Sequence, residues 1–251
     1  MLEIRKEQME VFEQAAVKNF EDRVIEHLEE SFPKRCSALG EARVRGIIRY
    51  GWEQAKGYGL ISERGVCLYV TLIFALGSGF DADPQLPWAA EALKDDNIED
   101  EVARIDEIYD SAEDYFDNVA GDDNEYLDEA LRRAREESSY DISEPEVESL
   151  ENRIAGMLNN LFPEKYEYIG EDCVNGLIQL GIESTKRYDI TSERGVAIYI
   201  GLMFILGSGF DNDPQFPWAE MILNDEAITD QTERVDGIYA AAVSALEQWP
   251  A

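Results

Sequence analysis

Apolar side chains recur three and four residues apart along most of the chain, the spacing that places them on one face of an α-helix. The first stripe comprises Met9, Phe12, Ala16, Phe20, Val24 and Leu28, and the last stripe of the first half comprises Ile98, Val102, Ile105, Ile108, Ala112 and Phe116. Residues 66–76 form a continuous apolar run, which predicts a buried central helix. The pattern therefore predicts an all-α protein.

The same order of stripes and turns occurs twice. Three motifs recur without a gap at an offset of 130 residues: Ser62-Glu-Arg-Gly-Val66 at 192–196, Gly77-Ser-Gly-Phe-Asp81 at 207–211, and Asp83-Pro-Gln-Leu-Pro-Trp-Ala89 at 213–219 with Phe for Leu. Such repetition indicates a tandem duplication. We therefore predict two homologous modules of about five helices each, residues 1–120 and 144–251. An acidic turn and a linker helix over Leu127–Glu137 join them within residues 121–143.

Polar residues mark the expected helix starts. Ser62 and Ser192 precede the two central helices, where a serine hydroxyl can accept a hydrogen bond from a free backbone N–H. Asp83 and Asp213 each precede proline, which predicts N-caps of the fourth helix in each module. The pair Asp81-x-Asp83 could instead hold a calcium ion. Capping is favoured because a proline and an apolar segment follow at once.

Acidic residues are spread over the whole chain. The sequence has 54 acids and 22 bases, a net charge of −32. Residues 1–125 carry 29 acids and 13 bases and residues 126–251 carry 25 and 9, so each half is at −16. Such a field attracts basic proteins and repels nucleic acid and anionic membranes. The candidate partner-binding residues lie where acids are densest: Asp95, Asp96, Glu99, Asp100, Glu101, Glu113, Asp114 and Asp117.

Residues for catalysis or metal binding are sparse. His27 is the only histidine, and the three cysteines form no Cys-x-x-Cys pair. We therefore predict no catalytic residue, metal ion or cofactor. Trp88 and Trp218 are expected to anchor the core. The longest apolar runs are shorter than the roughly 20 residues of a membrane span, and unpaired cysteines are typical of the cytoplasm.

The repeated core Gly-Ser-Gly-Phe-Asp-x-Asp-Pro-Gln-x-Pro-Trp-Ala, preceded by Ser-Glu-Arg-Gly-Val, resembles a group of uncharacterised bacterial proteins. Their genes lie near type VI secretion spike and toxin-effector genes. The similarity extends from about Arg23 to Tyr109 and from Arg153 to Tyr239. The resemblance implies a role in effector immunity or in loading an effector.

The sequence thus predicts a non-enzymatic acidic binding protein that covers a basic surface of a toxin or effector. Two alternatives remain open at this point. One is a nucleic-acid mimic that inhibits a nucleic-acid-binding protein, and the other is a metal-dependent enzyme that uses the two Asp-x-Asp loops. The sequence does not predict the oligomeric state.

Overall fold

The computed structural model describes residues 6–98, 100–142 and 149–247, apart from the side chains of residues 6–13 and 137. Within this range the chain is all-helical, with twelve α-helices and no strand, which confirms the predicted fold class. The helices are α1 Lys6–Ser31, α2 Pro33–Leu39, α3 Glu41–Gly57, α4 Glu63–Leu76, α5 Pro87–Lys94, α6 Glu101–Val119, α7 Glu125–Ala134, α8 Leu150–Leu161, α9 Pro163–Lys186, α10 Glu193–Leu206, α11 Pro217–Leu223 and α12 Gln231–Leu246. Short 3-10 segments lie at Phe80–Ala82, Asp122–Asn124, Glu137–Tyr140 and Phe210–Asn212.

The two apolar runs form the central helices α4 and α10. Ser62 Oγ accepts a hydrogen bond from Gly65 N–H at the start of α4, and Ser192 does the same for Gly195 at the start of α10. Both serines are therefore N-caps, as the sequence predicts. Half of the residues of α4 are buried, whereas α10 is buried almost all round.

The helix that follows each central helix begins later than the sequence predicts. α5 starts at Pro87 and α11 at Pro217, so Asp83 and Asp213 are not N-caps of these helices. Each aspartate instead ends a 3-10 turn, and its side chain bonds across a loop. Pro87 and Pro217, the second proline of each motif, therefore open these helices. Proline suits the first turn of a helix at either position, so the motif alone does not show which one begins it.

Pro33 follows the end of α1 and opens a further short helix. α2 runs from Pro33 to Leu39 and stops at Gly40, which has a positive φ of 74°. In the second half the corresponding segments are joined in α9, which breaks at Gly170 with φ 79°. Glycine is suited to both breaks because it has no Cβ to clash at positive φ.

Two residues of the predicted stripes lie outside the core. Ala16 is exposed, like the rest of residues 14–19 of α1, and Val102 is 53% exposed on α6. The linker helix is α7, which begins two residues before Leu127 and ends at Ala134. The side chains of Met9 and Phe12, and the predicted module boundary between residues 143 and 144, lie outside the described residues.

Apolar side chains from both halves form one continuous buried cluster. α4 packs on α3, α6 and α1, and α10 packs on α9, α12 and α8. Among the described residues, none of the helices is both long enough and apolar enough to cross a membrane.

Candidate functional site

The two halves of the chain meet where α4 and α10 end. Gly77 and Gly207 follow these helices, each with φ of 99°. A Cβ on Gly77 would lie 2.9 Å from Leu206 O, and one on Gly207 would lie 2.7 Å from Leu76 O. Only glycine fits this approach, because positive φ and the opposite backbone both exclude a side chain.

Two buried aspartates tie the halves together. Asp83 Oδ1 accepts from Gln85 N–H at 2.9 Å, and its Oδ2 accepts from Ser208 N–H at 2.6 Å. Asp213 accepts the equivalent two hydrogen bonds, from Gln215 N–H at 2.8 Å and from Ser78 N–H at 2.6 Å. Burial raises the pKa of the Asp213 carboxyl, and these hydrogen bonds oppose the rise. The sequence predicts only a local role for these aspartates, as helix caps, whereas in the structure one oxygen of each accepts a hydrogen bond across the junction.

A buried cation lies beside the junction in each half. Arg35 donates to Phe74 O and, at 3.3 Å, to Gln215 Oε1. Lys165 is 6% exposed and its Nζ donates to Phe204 O at 2.5 Å. Desolvation lowers the pKa of Lys165 to about 8 and that of Arg35 to about 9. Each cation thus bonds a carbonyl of the central helix of its own half, and Arg35 also reaches Gln215 of the other half.

The first aspartate of each Asp-x-Asp loop accepts hydrogen bonds from two tyrosines. Asp81 Oδ2 accepts from Tyr58 OH at 2.7 Å and from Tyr69 OH at 2.9 Å. Asp211 accepts from the two equivalent tyrosines at 2.7 and 2.8 Å. Desolvation and the adjacent carboxylate raise the pKa of both Tyr58 and Tyr69. Over the described part of the chain, no group of three metal-ligating side chains comes together.

Charged side chains repeated in both halves orient the helices. Arg64 pairs with Asp106 at 2.8 Å and Arg194 pairs with Asp236 at 2.9 Å, linking each central helix to the last helix of its half. Arg104 instead donates to three carbonyls at the end of α5 and in the loop after it. Both ion pairs are largely exposed, so they guide packing more than they stabilise it.

Three of the acids predicted to bind a partner are held within the fold. Asp95 accepts from the N–H two residues on, and Asp100 is the N-cap of α6. Glu101 Oε1 accepts from Ile61 N–H at 2.9 Å and from Ser62 N–H at 2.8 Å. Desolvation alone would raise the pKa of Glu101, but these hydrogen bonds lower it below its ordinary value. Their carboxylates serve first to hold the start of α4 and of α6.

The other predicted acids differ in their surroundings. Asp114 accepts from Tyr168 OH at 2.6 Å, a contact between α6 and α9. Glu99 lies outside the described residues. Asp96, Glu113 and Asp117 are exposed, as are Asp100 and Asp114 despite their hydrogen bonds.

An exposed stripe runs along α6 and combines acids with apolar side chains. Its members are spaced three or four residues apart and so share one helix face. Val102 and Tyr109 are 53% and 51% exposed. The stripe comprises Val102, Asp106, Tyr109, Asp110, Glu113 and Asp117. We call this set the α6 stripe. The sequence analysis missed Tyr109 and Asp110 and placed Val102 in the core.

The remaining candidates have structural surroundings. Trp88 and Trp218 are half-buried and pack against the core, as expected. His27 is exposed, with Nε2 3.1 Å from Thr71 Oγ1. Cys36, Cys67 and Cys173 are all free thiols.

No family model matches this chain, and neither a curated protein nor a solved structure matches it. The function proposed below therefore rests on the charges and contacts of the chain itself.

Proposed function

We propose that this chain is a non-enzymatic acidic binding protein that covers a basic surface of a protein partner. Its setting would be that of an immunity protein or an effector adaptor in a bacterial secretion or toxin system, as the motif resemblance implies. The observation that carries the proposal is the α6 stripe. It places the carboxylates of Asp110, Glu113 and Asp117, together with that of Asp106, which pairs with Arg64, beside two exposed apolar side chains on one helix.

The composition of the stripe suits recognition of a basic protein. Aromatic side chains anchor protein interfaces, and a rim of charges directs the approach of the partner. On α6, Tyr109 can supply the anchor while Asp110, Glu113 and Asp117 supply the charge. None of these three acids belongs to the bonds that hold the loops, so their charge is free to act on a partner.

The second half of the chain does not repeat the stripe. The positions equivalent to Asp110 and Glu113 are Ala240 and Val243 in α12. The equivalent of Tyr109 is Tyr239, which is half-buried and donates to Arg135 O at 2.9 Å. The proposal therefore places the partner on the first half.

We also infer that the chain is a duplicated pair of modules, residues 1–120 and 144–251, that pack as a pseudo-dimer. The reciprocal bonds support this inference. Asp83 reaches Ser208 and Asp213 reaches Ser78, and each position lies 130 residues from its equivalent. Symmetric association of two like units would produce such paired contacts.

Capture of the partner tests the proposal. Immobilised protein is mixed with lysate of the native host, and the bound proteins are identified and quantified. The variant Asp110→Asn/Glu113→Gln/Asp117→Asn should retain far less of a basic protein than the wild type. Its matched control, Glu220→Gln/Glu226→Gln/Glu233→Gln, removes the same charge from exposed positions of the second half and should retain it fully. A partner that is acidic, or substrate turnover by the purified chain alone, would contradict the proposal.

A further inference from the structure

The central helices α4 and α10 have the same length but different surroundings. In α10 the residues Ala197, Ile198 and Gly201 are buried, the first two completely. Their equivalents 130 residues earlier, Cys67, Leu68 and Thr71, are only half-buried. One face of α10 is therefore covered by something that α4 lacks.

The cover on α10 is the chain's own linker, residues 125–142. Tyr140 is 2% exposed, and its ring would lie 2.5 Å from a Cβ on Gly201. The same ring packs edge-on against Tyr239 at 5.6 Å between centroids. The 3-10 turn that carries Tyr140 contacts both α8 and α10.

Arginines of the linker bond the carbonyl ends of the helices around it. Arg133 donates to Leu161 O at 3.5 Å, at the end of α8, and Arg135 donates to Leu246 O at 2.9 Å, at the end of α12. A cation is favoured at a helix C-terminus by the exposed carbonyls. Between these arginines and Tyr140, the apolar face of α7 is buried.

The equivalent groove in the first half is open. Between α1, α4 and α6, and extending to the junction of the two halves, lies a cavity of about 410 Å³ whose lining also includes Leu127 of α7 and Phe162 and Lys165 of the second half. Ser31, Thr71 and Phe116 line this cavity, and they are the equivalents of Leu161, Gly201 and Leu246. Tyr109, the equivalent of Tyr239, stands exposed on α6. The residues equivalent to those that contact the linker in the second half thus lie along this groove, although Phe116 O already accepts a hydrogen bond from Ala120 N–H because α6 continues to Val119.

Exposed acids of α1 and α6 flank the groove, whereas the cavity itself is lined by the cations Arg35 and Lys165. Glu26 and Glu30 are exposed on α1, and Glu113 and Asp117 are exposed on α6. Two arginines of the linker, Arg133 and Arg135, meet helix ends in the second half. The groove therefore complements a helix that carries arginines beside an apolar face.

We propose that the groove between α1, α4 and α6 receives an amphipathic, arginine-bearing helix of the protein partner, seated as residues 125–142 are seated between α8, α10 and α12. This inference rests on the proposed function and deepens it by naming the shape and chemistry of the binding segment. An aromatic side chain of the segment packs beside Thr71 and Tyr109. Its arginines bond the carbonyl ends of α1 and α6.

A labelled peptide tests the groove directly. The probe has the sequence of residues 125–142 with its acidic residues replaced by glutamine, and its binding to the intact chain is followed by fluorescence anisotropy. A scrambled peptide of the same composition is the control for charge alone. We expect the probe to bind with micromolar affinity, at least tenfold more tightly than the scrambled peptide. Equal binding of the two peptides, or no binding of either, would overturn the proposal.

Two variants locate the binding site. Ala75→Phe fills the cavity from α4 and should weaken probe binding at least tenfold. Tyr109→Ala changes an exposed side chain, so it leaves folding intact, and it should weaken binding roughly threefold to tenfold. Met221→Ala removes a side chain that is 72% exposed in the second half and should leave binding unchanged. Unchanged binding to Tyr109→Ala and Ala75→Phe would overturn the assignment of the groove.

The captured partner separates this inference from the proposed function. If its binding depends on Asp110, Glu113 and Asp117 but is unaffected by Tyr109→Ala and Ala75→Phe, the acidic-surface function stands and the groove is not the site. If no basic partner binds, the proposed function itself fails. Association of the chain with itself that Tyr109→Ala prevents would assign the groove to a second copy and contradict a separate partner.

Discussion

Replacing Asp213 by alanine should destabilise the protein far more than a helix cap would. Its two oxygens accept hydrogen bonds from Ser78 N–H at 2.6 Å and from Gln215 N–H at 2.8 Å. All three residues are at least nine-tenths buried, so water cannot readily replace the carboxylate. The change therefore leaves two buried donors unpaired, one in each half of the chain.

The magnitude follows from these two bonds. A hydrogen bond to a charged group contributes about 1.5–3 kcal/mol, so the two together contribute about 3–6 kcal/mol. Removing a buried carboxylate also removes its desolvation cost, which offsets part of this loss. We expect the free energy of unfolding to fall by about 2–4 kcal/mol for Asp213→Ala, and by a similar amount for Asp83→Ala. A helix cap alone would account for about 1 kcal/mol.

Urea denaturation followed by circular dichroism measures this change. Asp213→Asn keeps one acceptor oxygen and should lose about half as much as Asp213→Ala. Asp117→Ala, on the exposed face of α6, is the control and should change stability by less than about 0.5 kcal/mol. If Asp213→Ala behaved like Asp117→Ala, the bonds across the junction would contribute nothing to folding and the reasoning would be refuted.

Three further predictions concern other buried polar groups. Glu101→Ala should destabilise the protein by about 1–3 kcal/mol in thermal or urea unfolding. Glu101→Gln should lose little stability, since Gln231 makes the same two bonds at the start of α10. Equal losses for the two variants would contradict this. Lys165 has a lowered pKa of about 8 in the folded protein, so between that pH and its unfolded pKa the unfolded chain binds more protons than the folded one. Wild-type stability should therefore rise relative to that of Lys165→Met from pH 7.5 to 9.5. Parallel stability curves for the two proteins would show that Lys165 does not titrate as inferred. Hydrogen bonds from Arg49 and, to a smaller extent, from Arg45 lower the pKa of Glu21 despite desolvation. The stabilisation from Glu21 should thus be present above its unfolded pKa and be lost as pH falls below that value. A Glu21→Gln variant that lost as much stability as the wild type on acidification would refute the pairing.

The sequence predicts the local features of the fold well. Helical spacing and the serine caps at Ser62 and Ser192 follow from interactions within a few residues, and the structure has both. The start of the helix after each central helix was placed too early because two prolines in each motif can open a helix. Spacing alone does not distinguish Pro84 from Pro87.

Contacts between distant residues could not be read in the same way. The second partner of Asp83 is Ser208, 125 positions further along the chain, and no local pattern points to it. Val102 fits the apolar stripe of α6 by spacing, yet it is 53% exposed. The contact of Glu101 could have been predicted from the sequence, because glutamate at 101 and glutamine at 231 occupy equivalent positions of the repeat and can accept the same backbone hydrogen bonds.

The association rate of the identified partner tests the central claim most directly. It is measured by stopped-flow fluorescence at low and high salt for the wild type, for Asp110→Asn/Glu113→Gln/Asp117→Asn, and for Glu220→Gln/Glu226→Gln/Glu233→Gln. Charge-steered association slows as salt rises, because exposed charges are screened beyond about 8–10 Å near physiological ionic strength. We predict that the wild type and the second-half variant lose at least tenfold in rate between the two salt concentrations, while the α6 variant is already slow at low salt and responds less. An association rate that is the same for all three proteins and indifferent to salt would contradict the account.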